Sequence, residues 1–144
     1  MKIPPTPIAQ NNLMIIGEAP EQQDLLKKVP FIRKSGHLLK QMLLYAGLPS
    51  NPFLTNALLC MPNKVTTVNK QAVLNCRPRI LREIEQVHPK LIIALGNVAL
   101  HTVTGNFDLG ISTVHSKLMD FNGIPLIPIF HPAAILRNMK NVQA

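Results

Sequence analysis

Short unbroken apolar runs alternate along this chain with longer stretches in which apolar residues recur every three to four positions. The runs at residues 13–16 (Leu-Met-Ile-Ile) and 90–95 (Leu-Ile-Ile-Ala-Leu after Lys90, closed by Gly96) have no polar face, as expected of strands covered on both sides. Residues 53–59 predict a further strand. Between the first two strands, Ser35 can cap a helix through about Ala46. Its Leu38, Leu39, Met42 and Leu43 share a face, and Gly47-Leu48-Pro49 ends it. Residues 69–88 carry helical periodicity through Val73, Ile80, Leu81, Ile84 and Val87, with a kink or break expected at Pro78. Asn97 starts a short helix to about Val103, and residues 105–116 read as irregular. Residues 117–121 and 124–130 flank an Asn122-Gly123 turn, and a short helix follows from Ala133.

Strands alternating with helices predict an α/β fold, a three-layer α/β/α arrangement around a central, mostly parallel four-stranded sheet. Residues 1–12, rich in proline and polar side chains, read as an extended arm, residues 62–68 as a loop, and residues 13–144 as one domain with a shortened C-terminus. The sequence holds no internal repeat and no low-complexity segment.

Composition sharpens this picture in two ways. At 144 residues and 47% hydrophobic, the chain is long enough for one core burying roughly two-thirds of the surface exposed on unfolding. Fifteen Lys and Arg against seven Asp and Glu give a formal charge of +8 and a pI near 9.9, a balance that suits a polyanion such as nucleic acid and equally a merely basic solvated surface. Two cysteines, with no signal peptide and no apolar run near the length of a membrane span, point to a soluble cytoplasmic protein without a membrane partner. With no Trp and one Tyr, the five Phe are the main stacking platforms.

Candidate chemistry gathers at strand ends, where open α/β sheets bind ligands. Glu18 and Asp24 follow the first strand and fit either groups that orient a water or offset a cation, or solvated surface acids. Phe31, after Pro30, suits a stacking platform or a core residue. Asn56 suits a base-edge reader or a turn residue. His131-Pro132, after a long apolar strand, suits a donor to a developing anion or a structural histidine, and His115 lies in a loop that could face the same crevice. Cys60 and Cys76 are too widely spaced for a metal knuckle by themselves.

In order, these pieces resemble the family 4 uracil-DNA glycosylases, the iron-sulfur branch also labelled phage DNA polymerase-related. Gly17-Glu18-Ala19-Pro20 and, at the family spacing, Pro30-Phe31 match the first motif. Thr55-Asn56 with Cys60 match the second, and residues 76–84, 89–96 and 131–137 match the later ones. The resemblance implies hydrolysis of the N-glycosidic bond of uracil in DNA, as in base excision repair. It implies catalytic roles for Glu18, Asp24 and His131, and a uracil pocket from Gly17, Ala19, Pro20, Phe31 and Asn56. It also implies a DNA-binding segment of Ala133, Ile135, Leu136 and Arg137, with uracil-containing DNA as partner and a monomer as the acting form.

The chain also differs from the family pattern at identifiable places. Glu21, Lys28 and Arg33 stand where the family has glycines, and His115-Ser116 replace an Arg-Gly pair. The family holds a 4Fe-4S cluster with four cysteines, and only Cys60 and Cys76 stand at ligand positions here, so no cofactor is expected. These differences motivate a second reading, a catalytically impaired, cluster-less DNA- or nucleotide-binding relative. A polymerase is the least favoured reading, because the chain is short and no paired metal-binding aspartates appear.

Overall fold

The computed structural model describes residues 13–18, 34–48, 52–58 and 70–132. Its elements in chain order are β1 (Leu13–Gly17), α1 (Lys34–Tyr45), β2 (Phe53–Asn56), α2 (Lys70–Val87), β3 (Leu91–Leu95), α3 (Gly96–Thr104), α4 (Ile111–Val114), β4 (Met119–Phe121) and β5 (Ile124–Ile129). The arm of residues 1–12, the loop at 62–68 and the helix expected from Ala133 lie outside the described residues.

The sheet has the order β2-β1-β3-β5-β4. The pairs β1–β2, β1–β3 and β3–β5 are parallel, so the sheet is mostly parallel as the sequence pattern predicts, but it has five strands where four are expected. A fifth, three-residue strand, β4, adds to the edge antiparallel to β5 and makes the sheet mixed. Asn122 and Gly123 between them both have positive φ, at 49° and 89°, which matches the turn to the twist of a two-residue hairpin.

Alternation along the strands divides the core into two layers. Met14, Ile16, Ile92 and Ala94 face one side and pack against Ile80, Ile84 and Val87 of α2 and Ala99 and Val103 of α3. Leu13, Ile15, Ile93 and Leu95 face the other side and pack against Leu39 and Leu43 of α1. All five residues of β1 are buried, as a strand covered on both faces requires. The three-layer α/β/α architecture follows directly from these two clusters.

Two local expectations are corrected. Helix α2 runs unbroken from Lys70 to Val87 with Pro78 inside it. Val73 before the proline is buried, and Ile80, Ile84 and Val87 after it pack on one face of the sheet, and that burial outweighs the lost backbone bond. The stretch at 105–116 is also not wholly irregular, because Ile111 buries its side chain and starts the single turn of α4, with its amide donating to Asn97 Oδ1 at 2.7 Å. Among the described residues no helix is long and apolar enough to cross a membrane.

Candidate functional site

The four parallel strands all point the same way, so their C-terminal ends form one rim. Along it stand Asn56 at the end of β2, Gly17 and Glu18 at the end of β1, Gly96 after β3 and His131 after β5. Gly17 pairs with Asn56 in register, and two further backbone bonds, Ala57 N–H to the Gly17 carbonyl and Leu58 N–H to the Glu18 carbonyl, both at 2.8 Å, continue the pairing past the strand ends. The rim between Glu18 and Asn56 is therefore a hydrogen-bonded unit.

Asn56 is 4% exposed, while Glu18 and His131 are half-buried. At the far side of the rim, His131 lies against Gly96, which takes φ +87° as the chain turns from β3 directly into α3; a Cβ there would sit 3.5 Å from the His131 Cβ. Asn56 and His131 end strands separated by three sheet spacings of about 4.8 Å each, or roughly 14 Å of backbone.

The rim thus unites Gly17, Glu18, Asn56 and His131 from three separate motifs. Asp24, Ala19, Pro20, Phe31, Cys60, Ala133, Ile135, Leu136 and Arg137 lie outside the described residues. Cys76 is half-buried on α2, and among the described residues no three His, Cys, Asp or Glu side chains gather as metal ligands. The chain supplies two thiols, and a four-thiolate iron-sulfur cluster needs four, so the cysteines present do not fit that group. His115 lies beside the end of β5, its ring 4.7 Å from that of Phe130, and the next amide, Ser116 N–H, donates to the Pro128 carbonyl at 2.6 Å.

Sequence reasoning overlooked one group at this rim. From α2, Arg79 Nη2 donates to the carbonyls of Asn56 and Ala57 at 2.6 and 2.8 Å. Its Nη1 pairs with Glu83 at 2.5 Å, and the Thr55 hydroxyl donates to the same carboxylate at 3.1 Å. Burial pushes the Glu83 carboxyl pKa up, and the opposing pull of Arg79 and Thr55 does not cancel that shift. The signal was present as an Arg and a Glu four residues apart, interleaved with the apolar positions Ile80 and Ile84.

Residues 4–144 match the uracil DNA glycosylase superfamily. The chain is 33% identical over 132 residues to the type-4 uracil-DNA glycosylase of Archaeoglobus fulgidus, covering 86% of this chain and 66% of that protein. It is 31% identical over 133 residues to the Thermotoga maritima enzyme of the same name, covering 90% and 68%. For the Saccharolobus solfataricus enzyme the figures are 30% over 135 residues, 88% and 62%. The chain therefore spans about two-thirds of the length of the curated relatives it matches.

Proposed function

Because the chain belongs to the uracil DNA glycosylase superfamily, we propose that it hydrolyses the N-glycosidic bond of uracil in DNA, with the rim at the C-terminal ends of β1, β2, β3 and β5 as its uracil pocket. The single observation that carries this reading is the convergence of Gly17, Glu18, Asn56 and His131 on that rim from distant parts of the chain.

The reaction separates charge, and each proposed role answers one part of that separation. Uracil first leaves the base stack, at a cost of a few kcal/mol that pocket contacts offset. Phe31 supplies the stacking face, and Asn56 bonds the polar edge of the base, with its amide leaving a mismatched donor opposite cytosine. As the C1′–N1 bond breaks, its electron pair moves onto N1 and delocalises to O2, where the His131 ring N–H donates a hydrogen bond. A water oxygen bonds to C1′, oriented by Glu18 or Asp24, and gives up its proton to the carboxylate or to solvent. The same carboxylates offset the cationic character of the sugar in the transition state. The products are free uracil and an abasic sugar.

The backbone of Gly17, Ala19 and Pro20 lines the pocket. Ala133, Ile135, Leu136 and Arg137 contact the DNA, the two larger apolar side chains as wedges and Arg137 on a phosphate. The acting form is a cytoplasmic monomer.

Incubation with a uracil-containing oligonucleotide followed by alkali tests the proposal. Strand scission is expected with the native chain. His131→Ala should lower the single-turnover rate by 10²- to 10³-fold, about 2.7 to 4 kcal/mol of barrier, as for the loss of one oxyanion donor. Absence of scission at stoichiometric protein would leave the cluster-less binding relative as the better reading, a view motivated by Glu21, Lys28 and Arg33 in the first loop. That relative would bind the oligonucleotide without releasing base.

A further inference from the structure

β2 is the edge strand of the sheet: β1 flanks it on one side, and among the described residues no strand flanks the other. Carbonyls at such an edge lack the strand partner that would fix them. At the C-terminal end of β2 an arginine takes that partner's place. Arg79 Nη2 reaches the carbonyls of both Asn56 and Ala57, while Nη1 is tied to Glu83.

The placement of this group is informative. Thr55 pairs with Ile16, whose side chain packs on the α2 face of the sheet, and Thr55 itself bonds Glu83 of α2. By strand alternation the next side chain, Asn56, emerges on the opposite face. Arg79 thus grips the backbone of Asn56 from behind the strand and does not share its face. Thr55 and Glu83 are 1% and 8% exposed, so the anchor is held in a largely dry environment where its bonds are stronger than at a surface.

We propose that Arg79, held in place by Glu83 and Thr55, is a positioning residue that fixes the peptide carrying Asn56 and so sets the angle at which the Asn56 amide meets its base. The inference rests on the glycosylase reading for its substrate and on the clamp geometry for its mechanism. An amide reads a base edge only if its donor and acceptor are both aimed, and an error of about 1 Å in such a group can cost 10²-fold in rate. A guanidinium bonds two carbonyls and a carboxylate at once through its planar fork, and a lysine ammonium, a single point charge, cannot reproduce that.

The test compares the native chain with Arg79→Lys, Thr55→Val and Thr55→Ser, and with Val87→Ala as a control that loosens the same helix away from the rim. Single-turnover excision and inhibition by free uracil are measured where circular dichroism shows each variant folded. Arg79→Lys is expected to lower the excision rate about 10- to 100-fold and to weaken uracil inhibition, while affinity for uracil-free DNA stays unchanged. Thr55→Val should move both readouts in the same direction, and Thr55→Ser, which keeps the hydroxyl, should restore them. Val87→Ala should leave both in place.

The Asn56 side-chain amide pair in a ¹⁵N-correlation spectrum reads the clamp without any need for turnover. Its resonances are expected to shift or broaden in Arg79→Lys and to stay in place in Val87→Ala. Unmoved Asn56 resonances, or excision losses in Arg79→Lys no larger than those in Val87→Ala, would overturn the inference. If the native chain releases no uracil, the glycosylase reading fails, and the amide resonances alone decide whether Arg79 positions Asn56.

Discussion

Gly96 takes φ +87°, a backbone conformation that side chains with a Cβ disfavour, at the point where β3 passes straight into α3. Space is not the constraint there, since an added Cβ would make ordinary contact with His131 at 3.5 Å. Gly96→Ala should therefore lower stability by about 1 to 2 kcal/mol through backbone strain. The strained turn lies against His131, so excision should fall with it. Urea titration and single-turnover kinetics would check both effects, and an unchanged urea midpoint would show that the turn tolerates a side chain. At this scale the individual candidates were legible unevenly. His131 stood out because an apolar strand ran into it, whereas Glu18 and Asn56 had no such signal beyond their places at strand ends. Arg79 went unnoticed because its spacing to Glu83 signals only a helix ion pair, whereas the bonds that tie it to the rim go to two backbone carbonyls 23 and 22 residues away in sequence, which no side-chain pattern encodes.

The secondary elements followed the periodicity closely where the apolar pattern was long. β1, β3, α1 and the β4–β5 hairpin fall within a few residues of the stretches that predict them. The failures were of a different kind. Pro78 is a strong local signal for a helix break, yet α2 continues through it because Val73 is buried before it and Ile80, Ile84 and Val87 commit the part after it to one face of the sheet. If packing carries the helix across this position, replacing the proline should release a penalty. Pro78→Ala restores one backbone donor and removes the ring clash with the carbonyl four residues earlier, so it should stabilise the chain by up to about 3 kcal/mol. The urea midpoint would read this, and a fall in the midpoint would mean that the ring makes packing contacts worth more than the helix bond. The α4 turn was missed for a related reason: it is four residues long, too short for periodicity, and is held by Asn97 from another helix.

Over the whole molecule, charge and architecture point the same way. A net charge of +8 is expected to steer the chain to DNA from a distance, with selection of the base left to the proposed rim. Affinity for single-stranded DNA should fall linearly with the logarithm of salt concentration, with a slope of about −0.7 per phosphate contacted. Measured by fluorescence anisotropy on uracil-free strands, a slope indistinguishable from zero would remove charge as the source of binding. Arg137→Ala should make the slope shallower by about one contact's share. By itself the sequence determined the layers and the polarity of the sheet: unbroken apolar runs can be satisfied only by strands covered on both faces, and helix-period stretches between them force parallel crossovers. It also supplied the family motifs that named Gly17, Glu18, Asn56 and His131 as a group. Only the tertiary structure decided how those residues stand to one another, because the order β2-β1-β3-β5 is a property of long-range pairing that local pattern does not carry. Gly17 and Glu18 at the end of β1 thereby stand within the rim, with Asn56 on one side and His131 beyond β3 on the other. The tertiary structure alone likewise revealed that the edge strand bearing Asn56 is closed by an arginine from α2, since the bond is to main-chain carbonyls and forms only once helix and strand are packed.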